Sequence, residues 1–359
     1  MKNAIKGGLY MKMQIKKSFI FLGIMAIVPP ALGMDISFGV YQNQGGRTYQ
    51  EDRWFVSKNK QFFAVFDGHG GSAMSEYAQQ NMYENYQKAC DCTVKSELQQ
   101  CFEKTSENFI KNNPNETCGS TAVAVVVQGK DMYFANVGDS RAIHIRKKNI
   151  FQTKDHKCTD ENERKRVQTQ INNANKGKKR RAEIADTGDI HVPVVVNGEN
   201  RKRRLAMSRS LGDKEYKQYG VVATPTVEKV TVQDGDIIVM ASDGLWDMIS
   251  SEDVRNFIQE NKNLDETMLA EKLAEEARRI YDTGNIRRVP GYTFDNITVV
   301  VMTVNTPLPV QKKPIQKKVQ NKVLSLWNTW QQNMYEYVGG LKKTKKQNNN
   351  LLSQLWITF

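Results

Sequence analysis

The sequence predicts an α+β fold, in which antiparallel strands and helices occupy separate stretches of the chain. Two observations lead to this class. Three short apolar segments follow one another, with a tight connection at residues 129–131 between the first two and a turn at 147–149 that returns the chain after the third, which is the pattern of an antiparallel meander. These predicted strands are 121–128, 132–137 and 142–146. The helical segments stand apart from them, which argues against a doubly wound parallel sheet.

Four segments have the composition and spacing of helices. They are residues 72–88, 95–112, 253–260 and 265–281. In the last of these, Met268, Leu269, Leu273 and Ala277 recur at near-helical spacing. Two helices are therefore expected before the meander and two after it.

Charge is distributed unevenly along the 359 residues, which are enough for one large domain or two small ones. The net charge is +13, but residues 1–33 hold five Lys and no acid, and residues 305–359 hold nine Lys and one acid. Residues 34–304 therefore carry no net charge. A nucleic-acid-binding field over the body is not supported, and we expect no nucleic-acid partner.

The N-terminus has the features of an export signal. Lysines between residues 12 and 17 precede an apolar run over 18–28, and Ala31 and Gly33 supply the small side chains of a cleavage site. The run is shorter than the roughly 20 residues that span a bilayer. We predict a signal peptide over residues 1–33 and an exported protein, periplasmic or secreted. A cytoplasmic protein with a buried N-terminal segment and a membrane-anchored protein are the alternatives.

The five cysteines do not form a metal-binding pattern, because there is no CxxC and the chain has only four His. Cys90, Cys92 and Cys101 lie in one region. They can form a disulfide if the protein is exported, or remain free thiols in a helical hairpin. Cys118, at the start of a predicted strand, is expected to be structural.

Residues 158–205 are rich in basic residues and lose the regular pattern. They contain KGKKRR at 176–181 and RKRR at 201–204. The default expectation is a solvated, mobile loop. The alternative is a flap that meets acidic or phosphorylated partners.

The last segment, residues 305–359, is predicted to be a basic C-terminal extension with an amphipathic helix. Prolines at its start form a linker, and five apolar residues then fall at spacings of four and three: Val323, Trp327, Trp330, Met334 and Tyr337. The helix can dock on the body, lie on a membrane surface or bind a partner protein.

Four aspartates stand at the ends of apolar runs that are predicted to be buried strands. They are Asp67 after FFAVF, Asp139 after MYFANVG, Asp243 after IIVMAS and Asp295 before NITVVVM. A carboxylate at the mouth of a buried strand is costly unless something compensates it. Hard divalent cations prefer oxygen ligands, so the four residues predict a shared cation site.

The segments at 47–52 and 67–71 add groups that suit phosphate chemistry. Glycines allow the backbone to turn after the strand, so that the Gly68 carbonyl can act as a metal ligand beside Asp67. Two cations that share Asp67 can acidify a water for in-line attack on a phosphoester. Arg47 can then hold phosphate oxygens, and His69 can protonate the departing oxygen.

Several motifs, in order, make residues 36–303 resemble the metal-dependent protein phosphatase family, the type 2C serine/threonine phosphatases. The motifs are RTYQED, VFDGHGG, GSTAVAVVV, ANVGDSRA, TKDHK, LAMSRSLGD, ASDGLWD and FDNITVVV. The resemblance implies a central β-sandwich of two antiparallel sheets flanked by helices, with the metal site at one end. It also implies that residues 34–304 form the catalytic domain.

The resemblance further implies a site for two Mg²⁺ or Mn²⁺ ions. In it, Asp67 would bridge both ions and the Gly68 carbonyl would bind one of them. Asp243 and Asp295 would bind the other, and Glu51 would act through a metal-bound water.

The remaining motif positions receive roles in the same way. Asp139, with Asp243, would match a weaker third metal position, and Asp52 would support the ligands. Arg47 would bind the substrate phosphate and His69 would be the general acid. Asp247 is a further acidic candidate that we expect to be structural.

The implied activity is hydrolysis of phosphoserine and phosphothreonine in phosphorylated protein substrates by a metal-bridged hydroxide, in a monomeric enzyme. Two departures qualify it. The segment between TKDHK and LAMSRSLGD is unusually basic, so substrate preference cannot be carried over. The export signal suggests an effector that acts on another cell. A non-catalytic binding module is the competing hypothesis.

Overall fold

The computed structural model describes residues 34–90, 93–196, 198–284 and 293–305, together with Ser325, Thr329 and Gln332. The chain divides into two compact units, Met1–Pro307 and Leu308–Phe359. The predicted signal peptide and the predicted apolar stripe of the C-terminal extension lie outside the described residues. Within the described part of the chain, no helix is long and apolar enough to cross a membrane.

The strands of the first unit are numbered in chain order. They are β1 (Asp35–Asn43), β2 (Arg53–Val56), β3 (Phe62–Phe66), β4 (Gly68–His69), β5 (Gly119–Ser120), β6 (Ala122–Gln128), β7 (Asp131–Val137), β8 (Arg141–Arg146), β9 (Asn149–Gln152), β10 (Glu183–Ile184), β11 (Ile190–Val196), β12 (Glu199–Leu205), β13 (Leu211–Gly212), β14 (Thr226–Thr231), β15 (Ile237–Ala241) and β16 (Ile297–Asn305). The three predicted strands are confirmed as β6, β7 and β8, and the predicted turns close the hairpins β6–β7 and β8–β9. The single meander was wrong, because β7 and β8 lie in different sheets.

The helices are α1 (Ala73–Lys88), α2 (Val94–Asn112), α3 (Glu161–Ala174), α4 (Lys214–Lys217), α5 (Asp243–Trp246), α6 (Ser251–Glu260) and α7 (Glu266–Thr283). The four predicted helices are confirmed as α1, α2, α6 and α7, with small differences at their ends. The ends differ because capping residues decide them: Ser250 accepts from the Asp253 amide and so starts α6 earlier than predicted.

Two five-stranded antiparallel sheets form the centre of the unit. Their strand orders are β1-β16-β15-β8-β9 and β14-β7-β6-β3-β2. Side chains from both sheets share one buried cluster, which includes Phe63, Val125 and Phe134 from the second sheet and Met240 and Val300 from the first. The α+β fold with a central β-sandwich is therefore confirmed.

Strand β3 shows why the apolar runs are continuous. All five of its residues are buried. Phe62, Ala64 and Phe66 pack outward in the cluster that contains the apolar faces of α1 and α2. Phe63 and Val65 point to the opposite face, into the cluster between the sheets. A strand covered on both faces has no position for a polar residue until it ends, at Asp67.

The first sheet is covered by α6 and α7. Leu269, Leu273 and Ala277 of α7 pack with Val299 and Val301 of β16. Met268, which the spacing had placed on the same apolar face, is instead 44% exposed. The buried residues of α7 are Leu269, Ala270, Leu273, Ala274, Ala277 and Tyr281. At about 100° per residue, Met268 falls on the opposite side of the helix from the centre of this face.

The expectation of a mobile loop over residues 158–205, called here the basic lobe, was wrong. The lobe contains helix α3 and the small antiparallel sheet β10-β11-β12. Its apolar residues lie singly among basic ones, yet they gather in a core of their own that includes Val167, Ile171, Ile190 and Leu205. The sequence showed no sign of this core because its apolar residues are far apart along the chain and are surrounded by basic ones.

The described cysteines are free thiols. Cys90 is exposed, whereas Cys101, Cys118 and Cys158 are buried. Cys92 lies outside the described residues, so the predicted choice between a disulfide and free thiols stays open for it. Burial raises the pKa of the Cys158 thiol to about 11, which is the setting of a packed thiol and not of a reactive one.

Candidate active site

Five aspartates stand at strand ends and form one electrostatic group, called here the acidic cluster. Asp52 precedes β2, Asp67 follows β3, Asp139 lies just beyond β7, Asp243 just beyond β15 and Asp295 just before β16. The strands come from both sheets. The sandwich thus brings together the four predicted aspartates and Asp52, although they are distant in sequence.

Repulsion within the acidic cluster changes its proton affinity. The pKa of Asp67 is well above that of an ordinary aspartate, first because of burial and then because of the charges of Asp243, Asp52, Asp139 and Asp295. The pKa of Asp243 is raised in the same way, by burial and then by Asp139. Since carboxylates that repel one another favour protonation, they remain ionised together only if positive charge is placed among them.

Asp52 is the most enclosed member of the cluster, with 1% of the residue exposed. Its Oδ2 accepts hydrogen bonds from Ser242 Oγ at 2.8 Å and Thr298 Oγ1 at 2.9 Å, whereas Oδ1 is buried without a partner. Burial raises the pKa of Asp52 to about 6. The Ser242 and Thr298 hydroxyls hold this carboxyl near Asp243, on whose pKa it acts.

Glu51 and Gly68 are held against each other. The Glu51 Oε1 atom accepts from the Gly71 amide at 2.5 Å, and the Glu51 amide donates to Asn296 Oδ1 at 2.8 Å. A Cβ on Gly68 would lie 2.6 Å from the Glu51 carbonyl oxygen and 2.7 Å from Ser75 Oγ. Only glycine therefore allows β4 to pass this close to Glu51.

Arg47 contacts the acidic cluster at Asp295. Arg47 Nη2 is 2.5 Å from Asp295 Oδ2, and both side chains are about one-third exposed, at 37% and 35%. The Arg47 Nε atom is buried without a partner. The predicted phosphate-binding residue and a predicted metal ligand thus contact each other directly.

His69 has a partner that the sequence analysis did not single out. Its Nε2 lies 2.7 Å from Asp213 Oδ2, and the Asp213 side chain is 3% exposed. Burial by itself would lower the pKa of His69, but the Asp213 carboxylate outweighs burial and the pKa is raised. The other ring nitrogen, Nδ1, is buried without a partner.

Several features of the backbone hold this pair together. Strand β5 lies between β4, which carries His69, and β13, which leads to Asp213. A Cβ on Gly119 would lie 2.1 Å from Asp213 Oδ2 and 2.5 Å from His69 Nε2. Asp213 itself has a φ of 49°, in the left-handed region. The signal for Asp213 was present in the motif LAMSRSLGD, but spacing alone did not connect it to His69.

Lys157 is a second residue that the sequence analysis missed, although it belongs to the motif TKDHK. Its Nζ lies 3.0 Å from Asp139 Oδ2, and the Asp139 side chain is 3% exposed. Burial would lower the pKa of Lys157, but the charges of Asp139, Asp247 and Asp243 raise it. Asp139 Oδ1 is buried without a partner. One oxygen of Asp139 is thus paired within the protein, and the other is not.

The donor set of the acidic cluster fits hard divalent cations. It consists of carboxylate oxygens, with two buried unpartnered atoms at Asp52 Oδ1 and Asp139 Oδ1. The side chains are not yet arranged as a ligand cage: among the described residues, no three His, Cys, Asp or Glu side chains are grouped closely enough to hold a metal ion. Asp247, the further acidic candidate, is exposed at the end of α5.

Comparison with protein families gives one match that spans most of this unit. The family model described as "Protein phosphatase 2C" matches residues 36–286. Among curated relatives, probable protein phosphatase 2C 45 of Oryza sativa subsp. japonica is 33% identical over 262 residues, which are 70% of this chain and 85% of that protein. Probable protein phosphatase 2C 59 of Arabidopsis thaliana is 32% identical over 74% of this chain and 79% of its own length.

Other relatives are longer than the matched region. The chain spans 50% of probable protein phosphatase 2C 52 and 64% of probable protein phosphatase 2C 7, both of Oryza sativa subsp. japonica, at 30% and 32% identity over 74% and 70% of this chain. Among solved structures, serine-threonine phosphatase 2C from Toxoplasma gondii has a TM-score of 0.56 at 20% identity. The match covers 77% of this chain and 96% of that one, and it shows a shared fold.

Proposed function

The chain belongs to the protein phosphatase 2C family, whose members depend on metal ions, and from that premise we propose that it is a protein serine/threonine phosphatase. It would hydrolyse phosphoserine and phosphothreonine in protein substrates, with Mg²⁺ or Mn²⁺ as cofactor. Two ions are proposed, with a weaker third position at Asp139.

The observation that carries this proposal is the mutual repulsion in the acidic cluster. Bringing these aspartates together costs stability: the pKa of Asp67 is raised by burial and then by Asp243, and the pKa of Asp243 is raised by burial and then by Asp139. A cluster of this kind has little structural use, because isolated buried charge destabilises a fold. Bound cations would remove the repulsion.

The proposed ligands are Asp67, the Gly68 carbonyl, Asp243 and Asp295, with Glu51 close to them. When bound, two divalent cations supply an activated water nucleophile and neutralise the charge of a phosphoryl group. Arg47 would bind the phosphate oxygens. It can do so by exchanging its contact with Asp295, since its Nε is an unpartnered donor and its side chain is 37% exposed.

His69 would donate the proton to the departing serine or threonine oxygen. Its Nε2 is engaged by Asp213 at 2.7 Å, so the proton to be transferred belongs on Nδ1, the ring nitrogen without a partner. Asp213 thereby fixes the orientation of the ring and favours its protonated form. Asp213 is a positioning residue in this scheme, because it acts through His69.

The proposal is tested with the purified chain, Mn²⁺ and a phosphothreonine peptide, by following the release of phosphate. Asp67→Asn is expected to lower kcat about 10³-fold, because the variant loses the carboxylate that both cations would share. EDTA is expected to silence the native protein. The matched control is Asp186→Asn, which removes an exposed acid of the basic lobe and should leave kcat unchanged.

Calorimetric titration with Mn²⁺ separates catalysis from binding in the same samples. Native protein should bind Mn²⁺, and Asp67→Asn should bind it more weakly. Full activity in Asp67→Asn, or in native protein after EDTA treatment, would falsify the proposal. Metal binding without turnover of any phosphopeptide would instead favour the non-catalytic binding module.

We also propose that the protein is exported and that its C-terminal extension contacts a membrane surface or another protein. The apolar run at 18–28 and the amphipathic spacing at 323–337 support these proposals. N-terminal sequencing of the protein from its natural host tests the first, and a start at Met34 is expected. Liposome sedimentation of the chain with and without residues 305–359 tests the second.

A further inference from the structure

A cavity of about 340 Å³ lies next to the proposed general acid. Its wall includes His69, Gly70, Arg203 and Arg204. This volume is at the low end for ligand pockets and suits one or two side chains. We propose that the cavity binds a negatively charged residue that flanks the phosphorylated serine or threonine of the substrate, with Arg203 and Arg204 as the anion-binding groups.

The role given to the cavity depends on the chemistry of the site, so this inference rests on the proposed function. If His69 protonates the departing oxygen, that oxygen lies against the imidazole when the bond breaks. The substrate chain attached to this oxygen then continues past His69. An extended peptide advances roughly 3.3–3.6 Å per residue, so its next residues reach the neighbouring cavity.

Both arginines line the cavity, and each is more exposed than its acidic partner. Arg204 is 68% exposed, and its Nε contacts Asp189, which is 10% exposed. Arg203 is 41% exposed and contacts Glu215, which is 32% exposed, through Nη1. Each guanidinium therefore keeps donors for a ligand, and an entering anion meets the cations before their counter-charges.

The arginines are also held on a firm support. They belong to β12, where Arg203 is paired with Val192 and Arg204 with His191 of β11. The hairpin is anchored by the core of the basic lobe, in which Val192 and Leu205 are buried. A site on a packed hairpin loses less entropy on binding than the same charges on a free loop.

Asp213 is the one carboxylate in the cavity wall, and it does not oppose an anion there. It is 3% exposed, and its Oδ2 is bound to His69. The Lys217 ammonium also lies near enough to act on it electrostatically. The remaining wall residues Thr117 and Tyr216 carry hydroxyls and Leu205 is apolar. The net effect is a small polar cavity with two exposed cationic ends.

The test compares phosphothreonine peptides that differ only in the residues beside the phosphothreonine, which are Glu, Gln, Lys or phosphoserine. With the full chain and Mn²⁺, kcat/KM is expected to be about tenfold higher for the Glu peptide than for the Gln peptide, and lowest for the Lys peptide. The Glu and phosphoserine peptides both place an anion beside the phosphothreonine. The one with the higher kcat/KM shows whether the cavity prefers a carboxylate or a phosphate.

Variants then assign the preference to the cavity. The double variant Arg203→Gln/Arg204→Gln should reduce the Glu-to-Gln ratio of kcat/KM from about ten to about one, mainly through KM. The matched control is Arg201→Gln, which makes the same charge change in β12 at a residue that is 60% exposed and outside the cavity wall. It should keep the ratio. If the double variant does not fold, Arg204→Gln alone gives the same comparison with a smaller change.

Binding of fluorescent versions of the peptides, followed by anisotropy, provides a readout that needs no turnover. The Glu peptide should bind about tenfold more tightly than the Gln peptide. Equal treatment of all peptides by the native protein would overturn the inference, as would an equal loss of preference in Arg201→Gln. Turnover without preference refutes only this inference, whereas absence of turnover on every peptide refutes the proposed function.

Discussion

Two groups of carboxylates in this protein have opposite electrostatic settings. In the acidic cluster the aspartates face one another, and the pKa of Asp67 and of Asp243 is raised, first by burial. In the basic lobe, burial would also raise the pKa of Glu163. Hydrogen bonds from Arg209, Arg166 and Ser208 more than offset it, and the pKa is held well below its usual range.

The comparison distinguishes a carboxylate that stabilises the fold through its own partners from carboxylates that need a bound cation. Glu163 is neutralised within the protein: Arg209 Nη2 lies 2.7 Å from Oε1, and Arg166 Nη2 lies 2.6 Å from Oε2. These bonds join helix α3 to residues 208 and 209, just before the segment that carries Asp213. In the acidic cluster, in contrast, Arg47 pairs with Asp295 and Lys157 with Asp139, whereas Asp67 and Asp243 form no ion pair among the described residues. We infer that their compensation comes from bound cations.

The largest expected effect is on the stability that metal adds. At 100 times the dissociation constant, each Mn²⁺ ion should stabilise the native state by about 2.7 kcal/mol, and two ions by about 5 kcal/mol. Asp243→Asn should lose most of this gain. In EDTA the same variant should be more stable than the native protein, because one repelling charge is removed. Urea unfolding with and without Mn²⁺ measures both changes.

Asp186→Asn is the control for this experiment, since its side chain is exposed in the basic lobe. It should retain the full gain from Mn²⁺. A native protein whose unfolding does not respond to Mn²⁺ would remove the distinction between the two groups of carboxylates.

The next effect is on the basic lobe. Glu163→Gln should lower the free energy of unfolding by about 3 kcal/mol at pH 7, because it leaves two arginines without their buried partner. The folded pKa of Glu163 is lowered, so its contribution is complete above the unfolded pKa and is lost as pH falls through the folded pKa. The difference between native and variant should therefore shrink below about pH 4.5.

Glu161→Gln is the matched control, as the exposed acid in the first turn of the same helix. It should change the free energy of unfolding by no more than about 0.5 kcal/mol. If both variants lose the same stability, Glu163 is not the anchor of the lobe.

The smallest effect concerns the point where the two regions meet, at Asp213 and His69. Asp213→Asn should lower kcat on a phosphothreonine peptide about 30-fold, close to 2 kcal/mol in the barrier. Asp213 raises the pKa of His69, so its removal should move the alkaline limb of the pH profile to lower pH. The loss should be smaller with p-nitrophenyl phosphate, whose leaving group needs less protonation.

A purely structural role for Asp213 predicts a different pattern. It would lower kcat on both substrates equally and leave the pH profile in place. Asp189→Asn is a useful companion, because Asp189 is a buried acid of the neighbouring lobe that contacts Arg204 and not His69. It should leave the alkaline limb unchanged.

Local patterns were informative wherever a strand or a helix has one environment along its length. FFAVF could be assigned to a strand because both of its faces are buried, and α7 could be assigned from the spacing of Leu269, Leu273 and Ala277. The basic lobe could not be assigned in this way. Its core combines Val167 with residues such as Ile190 and Leu205, which come together only across a fold.

The sequence by itself determined the α+β class, the strand ends at Asp67, Asp139, Asp243 and Asp295, and the glycines that let the backbone turn after Asp67. These depend on periodicity and on residue types that are readable over a few positions. Only the tertiary structure decided that Asp213 holds His69, that Lys157 takes one oxygen of Asp139, and that Arg203 and Arg204 border the same cavity as His69. Such contacts join residues that are 18 to 144 positions apart, and their energies depend on distance and burial, which spacing along a chain does not specify.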